Sequence, residues 1–220
     1  MSEKKPYYSI CQASKTEKTI KKSVFLARAF PIEGADQAEE ILEGIRFSEK
    51  DASHHPYAYV AGIGGEEKKC SDDGEPQGTA GRPILETIDK RELTRVLLVV
   101  TRYFGGIKLG APGLLRAYRS SANQALDQGG KALYLPARLI HLSFSYEFLG
   151  KIDYYLKEKK NKEISRSFDD RANLLWILAE NLQERVKGDI MEITSGQGAW
   201  ERGRESWVKK ILDEGRDRPL

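Results

Sequence analysis

The sequence predicts an α+β protein of two domains: an N-terminal α/β domain over residues 1–134 and a ferredoxin-like βαββαβ domain over 135–198. Three observations carry that expectation. The first half alternates short β-rich runs with apolar residues at helical spacing. A Gly129-Gly130 to Pro136 break separates it from a second set of strand and helix signals. The 220 residues are 40% hydrophobic and 31% charged, a balance that buries a core and keeps a solvated surface.

In order along the chain, Tyr7 to Cys11 and Ser23 to Phe30 read as strands. Asp36 to Glu49 places Ala38, Ile41, Leu42 and Ile45 at helical spacing, with Asp36 as N-cap. Pro56 stops any helix, Tyr57 to Ile63 is a strand, and Gly62, Gly64 and Gly65 mark a turn. Residues 71–78, Ser-Asp-Asp-Gly-Glu-Pro-Gln-Gly, are loop chemistry, and Thr79 to Ile88 is a short helix. Arg95 to Thr101 is a buried strand. Pro112 to Gln128 is a helix with Leu115, Tyr118, Ala122 and Ala125 on one stripe and Arg116, Arg119 and Asn123 off it. The second half reads strand 138–146, helix 150–159, strands 164–168 and 172–178, helix 180–186 and strand 189–194. From 199 to 220 a charged tail places Trp200, Trp207, Val208, Ile211 and Leu212 near one helical face, so a docked helix is expected.

Composition excludes several classes. The 20 glycines and 8 prolines have no period, so the chain is not collagen-like. The longest apolar run, Val96 to Val100, is too short for a bilayer, and MSEKKPYYSI lacks the apolar centre of a signal peptide. A cytoplasmic protein without membrane attachment is expected. Cys11 and Cys70 make no disulfide framework and lack metal-ligand spacing. The net charge of +3 is modest for a nucleic-acid binder, but its distribution is uneven. No acidic residue lies between Glu92 and Asp127, where Arg95, Arg102, Lys108, Arg116 and Arg119 fall. Glu66, Glu67, Asp72, Asp73 and Glu75 cluster just upstream.

Two segments carry candidate chemistry: residues 71–83 and residues 101–110. In the second, Gly105, Gly106 and Gly110 allow positive φ and close approach of a ligand, and Pro112 opens a helix whose first N–H groups face the loop. Lys108 and Arg102 add charge, and Arg116 lies one turn on. The loop matches neither a Walker A nor a GxGxxG pattern. In the first segment, Asp72, Asp73 and Glu75 with His54 suit a hard cation, yet the spacing is not a calcium loop. The plainer reading has the carboxylates capping backbone N–H groups or pairing with Arg82. Neither a metal nor a cofactor is assigned.

Ser53-His54 through Tyr57-Ala58-Tyr59, then SDDGEPQGTAGRP, then VLLVVTRYFGGIKLG and LLRAY resemble, in the same order, the motifs of the IMPACT/YigZ family. The resemblance covers about residues 17–128 closely. It implies an N-terminal α/β sandwich of the ribosomal-protein and elongation-factor-domain-four type, followed by a ferredoxin-like domain. The chain departs from the family at Ala111-Pro112-Gly113, where many members carry Thr-Gly-Gly. Together, the basic stretch, the glycine loop and the resemblance point to a non-enzymatic binding module for RNA or a ribosomal site, acting in translation regulation. Nothing points specifically to DNA. The alternative is an enzyme on a phosphorylated or peptide-like small molecule, using Asp72, Asp73, Glu75, His54, Arg82 and Lys108. A protein partner, as for the eukaryotic regulator, is the third reading.

Overall fold

The structure, a computed structural model, describes residues 5–158 and 163–212. The chain is α+β, with two sheets and five α-helices among the described residues. It divides into two compact units. Of the described residues, 7–133 and 210–212 form one, and 5–6 with 134–209 form the other.

The first unit opens with β1 (Tyr7–Ile10), after which the Cys11 N–H donates to the carbonyls of Gly129 and Gly130. β2 (Ser14–Ile20) and β3 (Ser23–Pro31) form a hairpin closed by the pair Ile20 and Ser23, with only Lys21 and Lys22 between. Helix α1 (Ala35–Ser48) follows, then β4 (Tyr57–Ala61), β5 (Glu67–Ser71), α2 (Gly81–Lys90), β6 (Val96–Tyr103) and α3 (Ala111–Gly129). The sheet order is β2-β3-β6-β4-β5, antiparallel throughout.

Strand alternation divides the core in two. Phe25, Ala27, Ala29, Ala58, Val60, Val96, Leu98 and Val100 face α2 and α3. Tyr57, Tyr59, Leu97 and Val99 face Ala38, Leu42 and Ile45 of α1. Both faces of β6 are therefore covered, which explains its uninterrupted β-branched and leucine run. The sequence reading missed β2 and β5. Each is an edge strand with mostly exposed polar side chains, so neither shows an apolar stripe. The helix α1 is capped at Gly34, not Asp36, which lies in its first turn. The buried stripe of α3 begins at Leu114, whereas Leu115 is only partly buried.

The division into units falls inside β7 (Lys131–Phe144), so the segment around Pro136 is strand rather than open linker. The second unit continues with α4 (Leu149–Glu158), β8 (Glu163–Phe168), β9 (Ala172–Ala179), α5 (Gln183–Ile193) and β10 (Ala199–Leu212). β9 pairs antiparallel with both β7 and β8, and β10 pairs β7. Ile140, Leu142, Phe144, Leu174, Trp176 and Leu178 of the sheet pack on Ile152 and Leu156 of α4 and Val186 and Ile190 of α5.

Two expectations are corrected here. Residues 189–193 are helix, because Val186 and Ile190, four apart, share the buried face of α5. The tail is not helical: 199–212 is strand, paired to β7, with Trp200 packed on the core. Residue 159 of the expected helix 150–159 and residues 213–220 of the expected tail lie outside the described residues.

Candidate nucleic-acid interface and the polar network behind it

The last residues of β6 alternate between the two faces of the sheet, and each face receives a charged group. Arg102 turns toward α2 and α3. Its side chain is 7% exposed, and its Nη1 donates to Glu75 Oε1 at 2.6 Å; the Glu75 side chain is 3% exposed. The Tyr118 hydroxyl donates to the same oxygen at 2.7 Å, and Arg102 Nη2 donates to Ser23 Oγ at 3.3 Å. Burial, reinforced by the Glu75 charge, pushes the Tyr118 phenol far up, so it stays a donor. The guanidinium lies 5.5 Å from the Phe25 ring centre and 5.4 Å from that of Phe104.

On the α1 face, Arg28 pairs with Glu49 and donates to Thr101 Oγ1 at 3.3 Å, while the Tyr103 hydroxyl donates to Glu49. The hydrogen bond from Tyr103 holds the Glu49 carboxyl below its usual range. His55 Nδ1 lies 3.2 Å from Thr101 Oγ1, and burial holds this imidazole below its usual pKa.

The acidic loop is occupied by its own chain. Asp72 accepts backbone N–H groups of Gly78, Ala80 and Gly81 at 2.7, 2.9 and 2.8 Å, and so caps the start of α2. Asp73 accepts the His55 N–H at 2.7 Å and pairs with Arg46 at 3.2 Å. His54 Nδ1 donates to the Asp73 carbonyl at 2.7 Å, which fixes its tautomer. Arg82 points outward and pairs with Glu86 on its own helix at 3.4 Å. Among the described residues, no group of three or more His, Cys, Asp or Glu side chains is placed to hold a metal ion.

The glycine loop behaves differently. Gly105 passes against the hairpin tip so closely that a Cβ there would fall on the Lys22 carbonyl group. Its N–H donates to Ser23 Oγ at 3.2 Å, and the Phe104 N–H donates to Ser53 Oγ at 3.1 Å. Beyond it, Gly106 and Gly110 hold φ of 82° and 70° in open space. Lys108 and Arg116 are exposed, and Phe104 and Ile107 are 50% and 41% exposed. Among the described residues neither Lys108 nor Arg116 makes an ion pair.

Beside this loop stand Lys21 and Lys22, both exposed and both at positive φ, 45° and 64°. A two-residue turn of this kind favours Asn-Gly, so two lysines there are strained. The sequence reading missed them because β2, the partner strand, carries no apolar signature. Arg102 was expected at this surface and is instead in the interior. Position parity on β6 puts it under α2 and α3, where Glu75 neutralises it. The acidic and glycine loops meet through that residue, since Glu75, Ser23 and the Phe104 ring all surround its guanidinium.

The profile of the Impact N-terminal domain matches residues 21–126, the segment that holds this surface and the network beneath it. IMPACT family member YvyE of Bacillus subtilis (strain 168) is 33% identical over 207 residues, 94% of this chain and 95% of that one. IMPACT family member YigZ of Escherichia coli (strain K12) is 36% identical over 151 residues, 68% of this chain and 74% of that one. A crystal structure of a hypothetical protein superposes with a TM-score of 0.58 at 28% identity, covering 95% of this chain and 98% of the other. A match of this length at both ends of the alignment places the chain in the IMPACT family.

Proposed function

We propose that this IMPACT-family protein is a non-enzymatic, RNA- or ribosome-associated factor in translation regulation. It contacts phosphates through Lys21, Lys22, Lys108 and Arg116. The observation that carries the reading is the contrast in pairing. These four exposed cations make no ion pair among the described residues, while Asp72, Asp73 and Glu75 are each engaged by their own chain. The same engagement weighs against an enzyme built on Asp72, Asp73, Glu75, His54, Arg82 and Lys108. The pairing of β7 with β9 and with β10, and of β9 with β8, supports reading the second unit as ferredoxin-like, and the covered antiparallel sheet of the first supports the elongation-factor-type sandwich. Fold analogy adds to the case without deciding it. In this reading the protein works in the cytoplasm, among ribosomes. No helix among the described residues is long and apolar enough to cross a membrane.

Salt titration tests the proposal. Each phosphate neutralised contributes a log–log slope of about −0.7 to −0.9, so affinity for RNA or purified ribosomes falls steeply with salt. Replacing Lys22, Lys108 and Arg116 together with Gln flattens the slope by roughly two to three units and leaves the fold intact, since all three are exposed. Salt-independent binding, or an unchanged slope in the triple variant, overturns it.

A further inference from the structure

We propose that Phe104 is a base-stacking platform and that the RNA taken at this surface is single-stranded; the inference rests on the phosphate-contact reading above. An exposed phenylalanine needs no explanation by itself. Phe104 differs in how it is held. Its own N–H is bound by Ser53, the next N–H by Ser23, and its ring lies against the Arg102 guanidinium. That guanidinium is itself fixed by Glu75 and Ser23 and packed against Phe25. The ring is thus ordered before any ligand arrives, while half of its surface stays open to water. By contrast Phe47 is 74% exposed, and the ring contact it shows among the described residues is with the Lys50 ammonium, 4.2 Å from its centre.

A cation behind one face of an ordered ring, exposed apolar surface at Ile107 three residues on in the same loop and lysines on the adjoining turn make a site for an unpaired base and its flanking phosphates. An A-form duplex offers phosphates and 2′-hydroxyls but keeps its base faces stacked, so it has no use for such a ring. Single-stranded RNA supplies both groups.

The experiment uses the full chain with three probes of equal length: a 12-nucleotide uridine strand, an abasic strand with the same phosphates, and an RNA duplex. The wild type binds the uridine strand most tightly. Phe104→Leu weakens that strand about ten- to hundredfold, the range of one lost stacked base, with an unchanged salt slope and no effect on the abasic strand. Phe104→Trp restores binding, and its added fluorescence, taken as the difference from wild type, is quenched by uridine but not by the abasic strand. If Phe104→Leu binds uridine as tightly as wild type, or if the duplex binds as tightly as the strand, stacking is wrong while the phosphate reading stands. If no probe binds, both fail.

Discussion

Two glycine-rich loops of the first unit each lead into a helix, and they solve the same problem in opposite ways. In the loop before α2, the helix start is capped by Asp72, a hard-wired anion supplied by the chain itself. In the loop before α3, Gly110 stands at the N-cap position with no side-chain cap, and Lys108 beside it is exposed. The first loop is acidic and closed; the second is basic and open. The loop before α2 carries two glycines and three carboxylates, and the loop before α3 three glycines and one lysine, so glycine alone does not identify a binding loop. What separates them is whether the polar groups already have partners. Arg102 joins the two: it takes its counter-charge from the first loop and supports the aromatic ring of the second.

The comparison is broken most severely at that joint. Arg102→Met leaves the Glu75 carboxylate buried without its cation, and removing one partner of a buried pair costs about 3–5 kcal/mol. Urea unfolding of Arg102→Met, of Glu75→Gln and of the double variant checks this. The double variant recovers part of the loss, because no charge is then stranded. Additive losses, or single losses below about 1 kcal/mol, would show that the two loops are not joined through this pair.

Asp72→Ala tests the closed loop alone. Three N–H groups lose their acceptor, and the loss of a helix cap costs about 1–2 kcal/mol. Thermal or urea unfolding should register that cost, while RNA affinity at fixed salt stays as in wild type. A large fall in affinity would make the acidic loop part of the binding surface and erase the contrast.

Legibility from sequence follows the range of the interactions. Helices α1 and α3 were readable from local apolar periodicity, and strand β6 from its uninterrupted apolar run. The glycine loop was readable by composition, and so were the exposed Lys108 and Arg116. Arg102 was misplaced because its partner stands 27 residues away, and only the parity of β6 decides which face it takes. The tail misled for a related reason: apolar residues at 200, 207, 208, 211 and 212 fit a helical face, but β7 offers an edge that a strand satisfies better. Lys21 and Lys22 look like two more surface lysines until the register of β2 on β3 puts them in a turn.

That turn supplies the smallest and sharpest test of the open loop. Both lysines sit in the left-handed region, which costs an L residue roughly 1–2 kcal/mol and glycine nothing. Glycine gives back about 0.5–1 kcal/mol in unfolded-state freedom. Lys21→Asn with Lys22→Gly matches the turn's own preference and raises stability by about 0.5–1 kcal/mol net. It also removes two charges from the surface beside Gly105, so the salt slope for single-stranded RNA falls by up to about two units. Measured together, stability rises as binding weakens, which is the signature of strain retained at a working surface. Raised stability with unchanged RNA affinity would leave the strain without a function and move the interface away from the hairpin tip. Lowered stability would show that the lysine side chains hold the turn themselves.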